Sequence, residues 1–414
     1  MKREIKVGIF GLRRGASFYK PFLYNNGNIV AVCDRDERKL EAARGDLSKD
    51  VCMYRDFESF ISHPGLDAVF LCNNFHQHTD FAIKALERGI HVLSECTSNA
   101  TMADGVRLVR AVKKSKAIYM LAENYPFTKY NREMRRVFND GSLGKLIFAE
   151  GEYNHPLDPS DEDTIRKLRP HEKHWRNYLP RSYYITHSIG PLMYITDTLP
   201  VRISAFASFA PNDPDMLAGP DVGDRAAIIT SQNADGSIYR VTGCAAFGSH
   251  ESSYRICGTK GQIENLRDGS ERVLLNYNKW DTPENRPTSS CYMPEWHDSD
   301  EKLIELCGHG GGDFFVIREF LECISEKKQP FFDVYRSTCM ASVAILAHRS
   351  ILNGGVPYDV PDFHKEEDLK KYENDVLTPF YGDNGEAPTL PCCSHPDFKP
   401  SEQEREKYRR ILGI

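Results

Sequence analysis

Along the first 124 residues, short apolar runs alternate with charged stretches patterned like helices. Ile5 to Phe10 alternates apolar and polar positions, whereas Ile29 to Cys33 and Ala68 to Cys72 are continuously apolar, and His91 to Glu95 and Ile118 to Ala122 give two further strands. Continuous apolar strands are what a parallel sheet covered on both faces requires. Between them, Asp36 to Leu47 reads as a charged helix and Met102 to Ser115 as another. Thr79 to Gly89 places Phe81, Ala82, Ala85 and Leu86 at helical spacing and stops at a glycine. This alternation predicts an α/β fold whose N-terminal domain, 1–124, is a doubly wound parallel sheet of the Rossmann type.

The grammar changes near residue 145. Leu146 to Tyr153, Arg202 to Ala210, Ala226 to Asn233, Ser237 to Phe247 and Ser252 to Cys257 read as strands of a large, mostly antiparallel sheet. Ala234 to Ser237 supplies a hairpin turn. Helices return over 313–326 and 337–353, so the pattern predicts a C-terminal α/β domain over 125–380. Residues 381–414 form a polar tail with a charged, helix-like end, expected to lie as an arm on this subunit or a neighbour.

Candidate chemistry begins at the first turn, Gly11-Leu12-Arg13-Arg14-Gly15. A helix opening straight after a strand aims free N–H groups and its positive dipole end at a pyrophosphate. Asp34 ends the second strand, placed to bond a ribose 2′-hydroxyl. The usual middle glycine is missing, so an ordinary strand–helix turn is the alternative. Asp34 favours NAD over NADP because a carboxylate repels a 2′-phosphate, while Arg35 tempers that preference. Three further strand ends carry polar loops: Asn73 to His78, Glu95 to Thr97, and Asn124 to Phe127.

Bulk properties narrow the partners. A chain of 414 residues suits two domains. A net charge of −6 argues against nucleic acid, and no apolar run approaches the ~20 residues of a membrane span. The first strand starts too early for a signal peptide, and the 12 cysteines are scattered, so reduced thiols in a cytoplasmic protein are expected. Cys392-Cys393 matches neither a zinc nor a redox motif.

Two more segments draw attention. Residues 166–181 contain Arg169, His171, His174, Trp175 and Arg176. The histidine pair lacks an obvious third ligand, so no metal is expected. Trp175 and Arg176 suit a sugar, one stacking on C–H faces and the other bonding hydroxyls. Gly308-His309-Gly-Gly-Gly-Asp313 precedes a helix from Phe314, with Asp313 as its N-cap. His309 is a candidate hydroxyl ligand, the alternative being a structural hinge.

Taken jointly, the glycine turn, Asp34, His78 with its loop, Gly89 to Glu95 and Asp140 to Lys145 resemble the Gfo/Idh/MocA family of NAD(P)-dependent oxidoreductases over about residues 3–360. The resemblance implies a Rossmann domain followed by an α/β domain with an open sheet. That sheet often packs between subunits, implying a homo-oligomer, a dimer or tetramer. It assigns NAD to Gly11, Arg13, Arg14, Gly15, Asp34, Arg35, Asn73, His78, Glu95 and Asn124. There are departures. Family dehydrogenases carry Glu-Lys-Pro where this chain has Glu95-Cys96-Thr97, and a thiol cannot replace an ammonium. Cys96 is then a crevice-lining residue beside substrate. Tyr183 occupies the position of the family aspartate, while His187 matches the family histidine. Tyr184-x-x-His187 resembles instead the branch that cleaves glycosides with a retained NAD. There a tyrosine and a histidine handle protons, which makes Tyr184 and His187 the catalytic candidates. Tyr153 and Tyr183 join Trp175, Arg176 and His309 as substrate candidates. The alternative for His187 is a helix cap.

The leading expectation is an NAD(H)-dependent oxidoreductase acting on a secondary hydroxyl of a sugar, glycoside or cyclitol. Its rival is a glycosidase or lyase working by C3 oxidation and elimination. A non-catalytic NAD-binding protein is the third.

Overall fold

The computed structural model describes residues 4–414. Its first sheet contains β1 (Ile5–Phe10), β2 (Gly27–Cys33), β3 (Cys52–Tyr54), β4 (Ala68–Leu71), β5 (His91–Ser94) and β6 (Tyr119–Leu121), in the order β3-β2-β1-β4-β5-β6. Every pairing in it is parallel. The order reverses about β1 and β4, the switch point where doubly wound sheets bind ligands at their carboxyl ends. Val7, Ile9, Val32 and all of β4 are buried, as continuous apolar strands between helix layers must be.

The second sheet has nine strands. They are β7 (Leu146–Asn154), β8 (Pro200–Phe209), β9 (Asp224–Asn233), β10 (Ile238–Ala245), β11 (Glu251–Gly258), β12 (Gly261–Asn265), β13 (Val273–Tyr277), β14 (Ser289–Tyr292) and β15 (Tyr358–Asp359). Their order is β14-β13-β12-β11-β7-β10-β9-β8-β15, antiparallel except for β7 with β10. The helix Thr186–Thr196 packs on β7 so closely that a Cβ at Gly151 would stand 2.0 Å from the Ser188 carbonyl oxygen. Only glycine permits that approach. Elsewhere on the sheet Phe206 and Ile228 are cross-strand partners, both exposed, and Ile147 and Ile238 are exposed as well.

The chain divides into two compact units. One comprises Met1–Arg136, Met293–Ala341 and Asp362–Asn374; the other comprises Val137–Tyr292, Ser342–Pro361 and Asp375–Ile414. Strand and helix grammar predicts contiguous segments instead, because it does not reveal that the helix Gly312–Glu326 packs with the Rossmann layers, where it meets Tyr19–Tyr24. The tail packs on its own chain. Ser394 donates through N–H and hydroxyl to Asp224, and the tail helix Glu402–Leu412 begins with a capping box, Ser401 with Glu404. Tyr408 and Ile411 join Ile165 and Ala218 in a small apolar cluster.

Some elements escape the pattern. The helix expected after Gly11 is broken into Leu12–Gly15, a 3-10 turn Ala16–Phe18, and Tyr19–Tyr24. β3 has only three residues, β12 and β14 carry too few apolar positions to stand out, and β13 is apolar but only five residues long.

Candidate functional site

In the first unit the carboxyl ends of β1, β2, β4, β5 and β6 bring most of the expected cofactor residues together. Gly11 has φ 94°, and a Cβ there would lie 2.6 Å from the Cys72 carbonyl. Asp34 is buried at the end of β2. Its carboxylate accepts the Leu12 N–H at 2.8 Å and the Asp36 N–H at 2.9 Å, and pairs with Lys39 at 3.2 Å. Lys39, rather than Arg35, therefore neutralises it. Arg13 and Arg35 are on the surface. His78 is buried with its ring nitrogens facing the carbonyls of Thr97 (3.0 Å) and Asn73 (3.1 Å), so it ties two strand-end loops together. Burial pushes its basicity down.

Arg14 lies in an ion-pair network. It donates to Glu95 at 2.9 Å and to both oxygens of Asp313, at 2.9 and 3.2 Å, with its guanidinium 4.4 Å from the Phe18 ring. Asn124 donates to Asp313 at 2.7 Å, and His309 Nδ1 lies 3.1 Å from it. Asp313 is thus no N-cap. The helix starts at Gly312 with Gly311 as its cap, and the Asp313 side chain turns inward because Arg14 offers it an ion pair. Burial opposes its charge, yet His309 and Arg14 outweigh burial and hold the carboxyl well below the usual carboxylate range. His309 spends one ring nitrogen on this carboxylate, so its position is fixed from behind. A Cβ on Gly312 would meet the Asn124 carbonyl at 2.4 Å, which locks this loop to the end of β6.

Cys96 follows β5, half-buried. Its thiol donates to Glu123 Oε2 at 3.2 Å, and its N–H to Glu95 Oε2 at 3.1 Å. Glu123, fully buried, also accepts the Tyr125 N–H at 3.2 Å. Glu123 is absent from the expected set; its signal is a carboxylate at the end of an apolar strand.

The second unit gathers a different set. The rings of Tyr184 and His187 are 5.2 Å apart, and both pack on Tyr153, at 5.7 and 5.0 Å. His155 and His250, absent from the expected set, complete the cluster: their rings are 4.6 Å apart and each lies against Tyr153. His155 sits two residues beyond Tyr153, where the strand pattern ends. Burial first, then its neighbours His250, Arg176, His187 and Arg181, hold its pKa down to about 4. A base of this kind stays neutral at neutral pH. His187 lies in the first turn of its helix without serving as the N-cap, which is Ile185.

Trp175 and Arg176 open a 3-10 turn, the guanidinium 4.4 Å from the indole. His174 caps that turn by accepting the Arg176 N–H at 3.3 Å. Tyr183 is not brought into the ring cluster. It is buried against His348 (5.9 Å) and Phe380 (5.3 Å), because its backbone turn sends neighbouring side chains to opposite sides.

The first unit's residues fit NAD. Asn73 Oδ1, Thr97 Oγ1 and Asn124 Oδ1 are buried polar atoms without a protein partner, all at strand ends around the Gly11 turn. Buried polar atoms ordinarily have partners, so three orphans in one place mark a ligand's position. Gly11, Asn73, Thr97 and Asn124 would hold the dinucleotide, with Asp34 at its ribose end.

The family model for the oxidoreductase family, NAD-binding Rossmann fold, matches residues 5–123, and that for the glycosyl hydrolase 109 C-terminal domain matches residues 225–370. A glycosyl hydrolase family 109 protein of Streptomyces filamentosus is 26% identical over 400 residues, covering 88% of this chain and 78% of the relative. One from Phocaeicola vulgatus is 22% identical, covering 87% and 94%. Among solved structures, levoglucosan dehydrogenase in complex with NADH and levoglucosan gives a TM-score of 0.73 at 17% identity, covering 87% of this chain and all of that one (100%). Myo-inositol 2-dehydrogenase from Lactobacillus plantarum gives 0.65 at 16%, covering 87% and 100%. At these identities the structural likeness speaks for the fold. The two family matches go further: residues 5–123 form an NAD-binding Rossmann domain of the oxidoreductase family, and residues 225–370 match the C-terminal domain of glycosyl hydrolase 109.

Proposed function

We propose that this protein oxidises a secondary hydroxyl of a sugar, glycoside or cyclitol, with His187 and Tyr184 moving the hydroxyl proton. The observation that carries the reading is the ring cluster, in which Tyr184 and His187 stand 5.2 Å apart and both pack on Tyr153. When bound, NAD supplies a hydride acceptor that can return what it takes. The chain's own task is to position the sugar and manage its protons. Removing the hydroxyl proton as the carbon loses its hydrogen needs a base near neutrality, which an imidazole provides. Tyr184 beside it can relay or return that proton. Trp175 and Arg176 offer a stacking face and a hydroxyl donor for the ring, and Cys96 lines the substrate side of β5.

A second reading has its own support. Cys96, hydrogen-bonded to Glu123, stands where family dehydrogenases carry lysine, and the C-terminal domain matches glycosyl hydrolase 109. In this reading a ketone at C3 acidifies the C2 hydrogen. A base takes that proton and the aglycone leaves C1 with its bonding pair. Water then adds across C1 and C2, and the returned hydride restores the C3 hydroxyl. Incubation with nitrophenyl glycosides separates the two. Stoichiometric NADH without phenol supports simple dehydrogenation; phenol without net NADH supports cleavage. Neither product across a broad panel would leave only a non-catalytic NAD-binding role.

The exposed apolar positions Phe206, Ile228, Ile147 and Ile238 support a homo-oligomer, dimer or tetramer, built on the large sheet. Among the described residues no helix is long and apolar enough to cross a membrane. The cysteines are free thiols, which supports the cytoplasmic assignment.

A further inference from the structure

Next to the ring cluster, the second unit holds more positive charge than its own acids neutralise. Arg169, Arg176 and Arg181 are each half-buried. Arg169 donates to the Pro220 carbonyl at 3.0 Å and Arg181 to the Asp224 carbonyl at 3.0 Å, while Arg176 Nε is buried with no hydrogen-bond partner. Among the described residues none of the three forms an ion pair. Asp221, the acid that acts on both Arg169 and Arg181, is committed to Arg225 at 2.6 Å, and Asp224 is held by Ser394. His155 Nδ1 is a second buried atom without a partner.

Burying a guanidinium away from water is costly unless an anion or several acceptors meet it. Here the cations also oppose one another: burial first, then Arg181 and Arg176, lower the pKa of Arg169 to about 10, against the opposing pull of Tyr408 and Asp221. The same surroundings keep His155 neutral, with positive groups and no carboxylate among the neighbours that act on it. Such an arrangement is stable only at a cost, and an oxyanion relieves it. Guanidinium groups meet carboxylate, sulfate and phosphate oxygens with paired, charge-assisted hydrogen bonds.

Resting on the reading that this cluster binds a sugar, we propose that the sugar carries an oxyanion, a carboxylate or a sulfate or phosphate ester, seated on Arg176 with Arg181 and the His155–His250 pair around it. Trp175, under the Arg176 guanidinium, fixes the plane from which that group is approached. The neutral His155 then accepts a hydrogen bond from a sugar hydroxyl beside the anion rather than competing for it.

The test uses the full chain supplied with NAD. Matched 4-nitrophenyl hexosides, hexuronides and 6-sulfated hexosides, in both anomers, are compared for phenol release and NADH formation. An anionic member should exceed its neutral partner in kcat/KM by at least about 30-fold, as expected for charge-assisted bonds. Arg176→Gln should bring that ratio to within about threefold, because the neutral amide keeps only ordinary hydrogen bonds. The arm that gains distinguishes a carboxylate from an ester. A neutral hexoside turned over as well as its charged partners overturns this inference and leaves the proposed activity standing. If nothing is turned over, the proposed activity falls, and binding decides the inference. Calorimetric titration should then show glucuronate, galacturonate or glucose 6-sulfate binding more tightly than glucose in the wild type but not in Arg176→Gln. Equal or absent binding of all four overturns it.

Discussion

Arg14 and Asp313, separated by 299 positions in the sequence, meet in a bidentate pair at 2.9 and 3.2 Å. The carboxylate is fully buried, and it also takes the Asn124 amide and faces His309. Arg14 therefore does not extend into solvent from the glycine turn. It joins the turn to the end of β6 and to the start of the Gly312–Glu326 helix, and so sets the shape of the cofactor cradle.

Asp313→Asn should weaken this junction. Breaking a buried pair costs several kcal/mol, but Arg14 keeps Glu95 and some solvent, so a loss of about 2 kcal/mol is expected in urea unfolding. NAD affinity should fall with it. The pH dependence carries a sign. The folded carboxyl is held below its ordinary value, so its contribution is complete above about pH 4 and declines as the pH falls further. The gap between wild type and Asp313→Asn should accordingly narrow from pH 6 to pH 3. A constant gap would mean that Asp313 acts through shape and not through charge.

The proton-transfer pair makes a different prediction. Tyr184→Phe keeps its ring on Tyr153 and His187→Asn keeps a polar side chain of similar reach, while both remove the acid–base groups. Turnover should drop by about 100-fold or more, in the range typical of lost general acid–base catalysis. NAD titration of the same variants should match the wild type, since the cradle residues belong to the other unit. Full activity in His187→Asn would remove it from the mechanism.

On the large sheet, Phe206 and Ile228 face each other across β8 and β9 with their side chains exposed. Phe206→Asp with Ile228→Asp places like charges opposite each other on that face. Light scattering should register a smaller assembly than the wild type. An unchanged mass would show that the oligomer, if one forms, uses another surface.

Much of the fold is legible in the chain because strands buried on both faces cannot hide their apolar runs; β1, β2, β4 and β5 follow directly. The tail helix is legible from its charge pattern, though the docking of the preceding Ser394 on Asp224 is not, since nothing local links it to a strand far upstream. Tyr184 and His187 are readable as a spaced pair, whereas His155 and His250 become partners only when β7 and β11 pair. Asp313 shows the limit most clearly. A carboxylate just before a helical stretch satisfies the capping rule, and only the distant Arg14 turns it inward. Tyr183 errs the other way: its neighbour reaches the ring cluster while its own ring is buried on His348.

His348 gives the last prediction. It is buried, and its Nε2 lies 2.7 Å from the Pro391 carbonyl, tying the tail to the helix Val334–Leu352. Burial holds its pKa down to about 4, against an ordinary 6.5, with Arg349 adding to the effect and the Pro391 bond opposing it. An unfolded chain takes up the proton from about pH 6.5 downward, while the folded one resists until about pH 4. Stability must then fall across that window, by (6.5 − 4) units at 1.36 kcal/mol each, or about 3 kcal/mol. His348→Gln retains an N–H donor for Pro391 and removes the titration. It should lose about 3 kcal/mol less than the wild type between pH 6.5 and pH 4, and run parallel to it above pH 7. His155 shifts in the same direction but is present in both proteins, so the difference isolates His348. Urea unfolding at half-unit pH steps measures it, and parallel curves throughout would show that His348 titrates alike in the folded and unfolded chains.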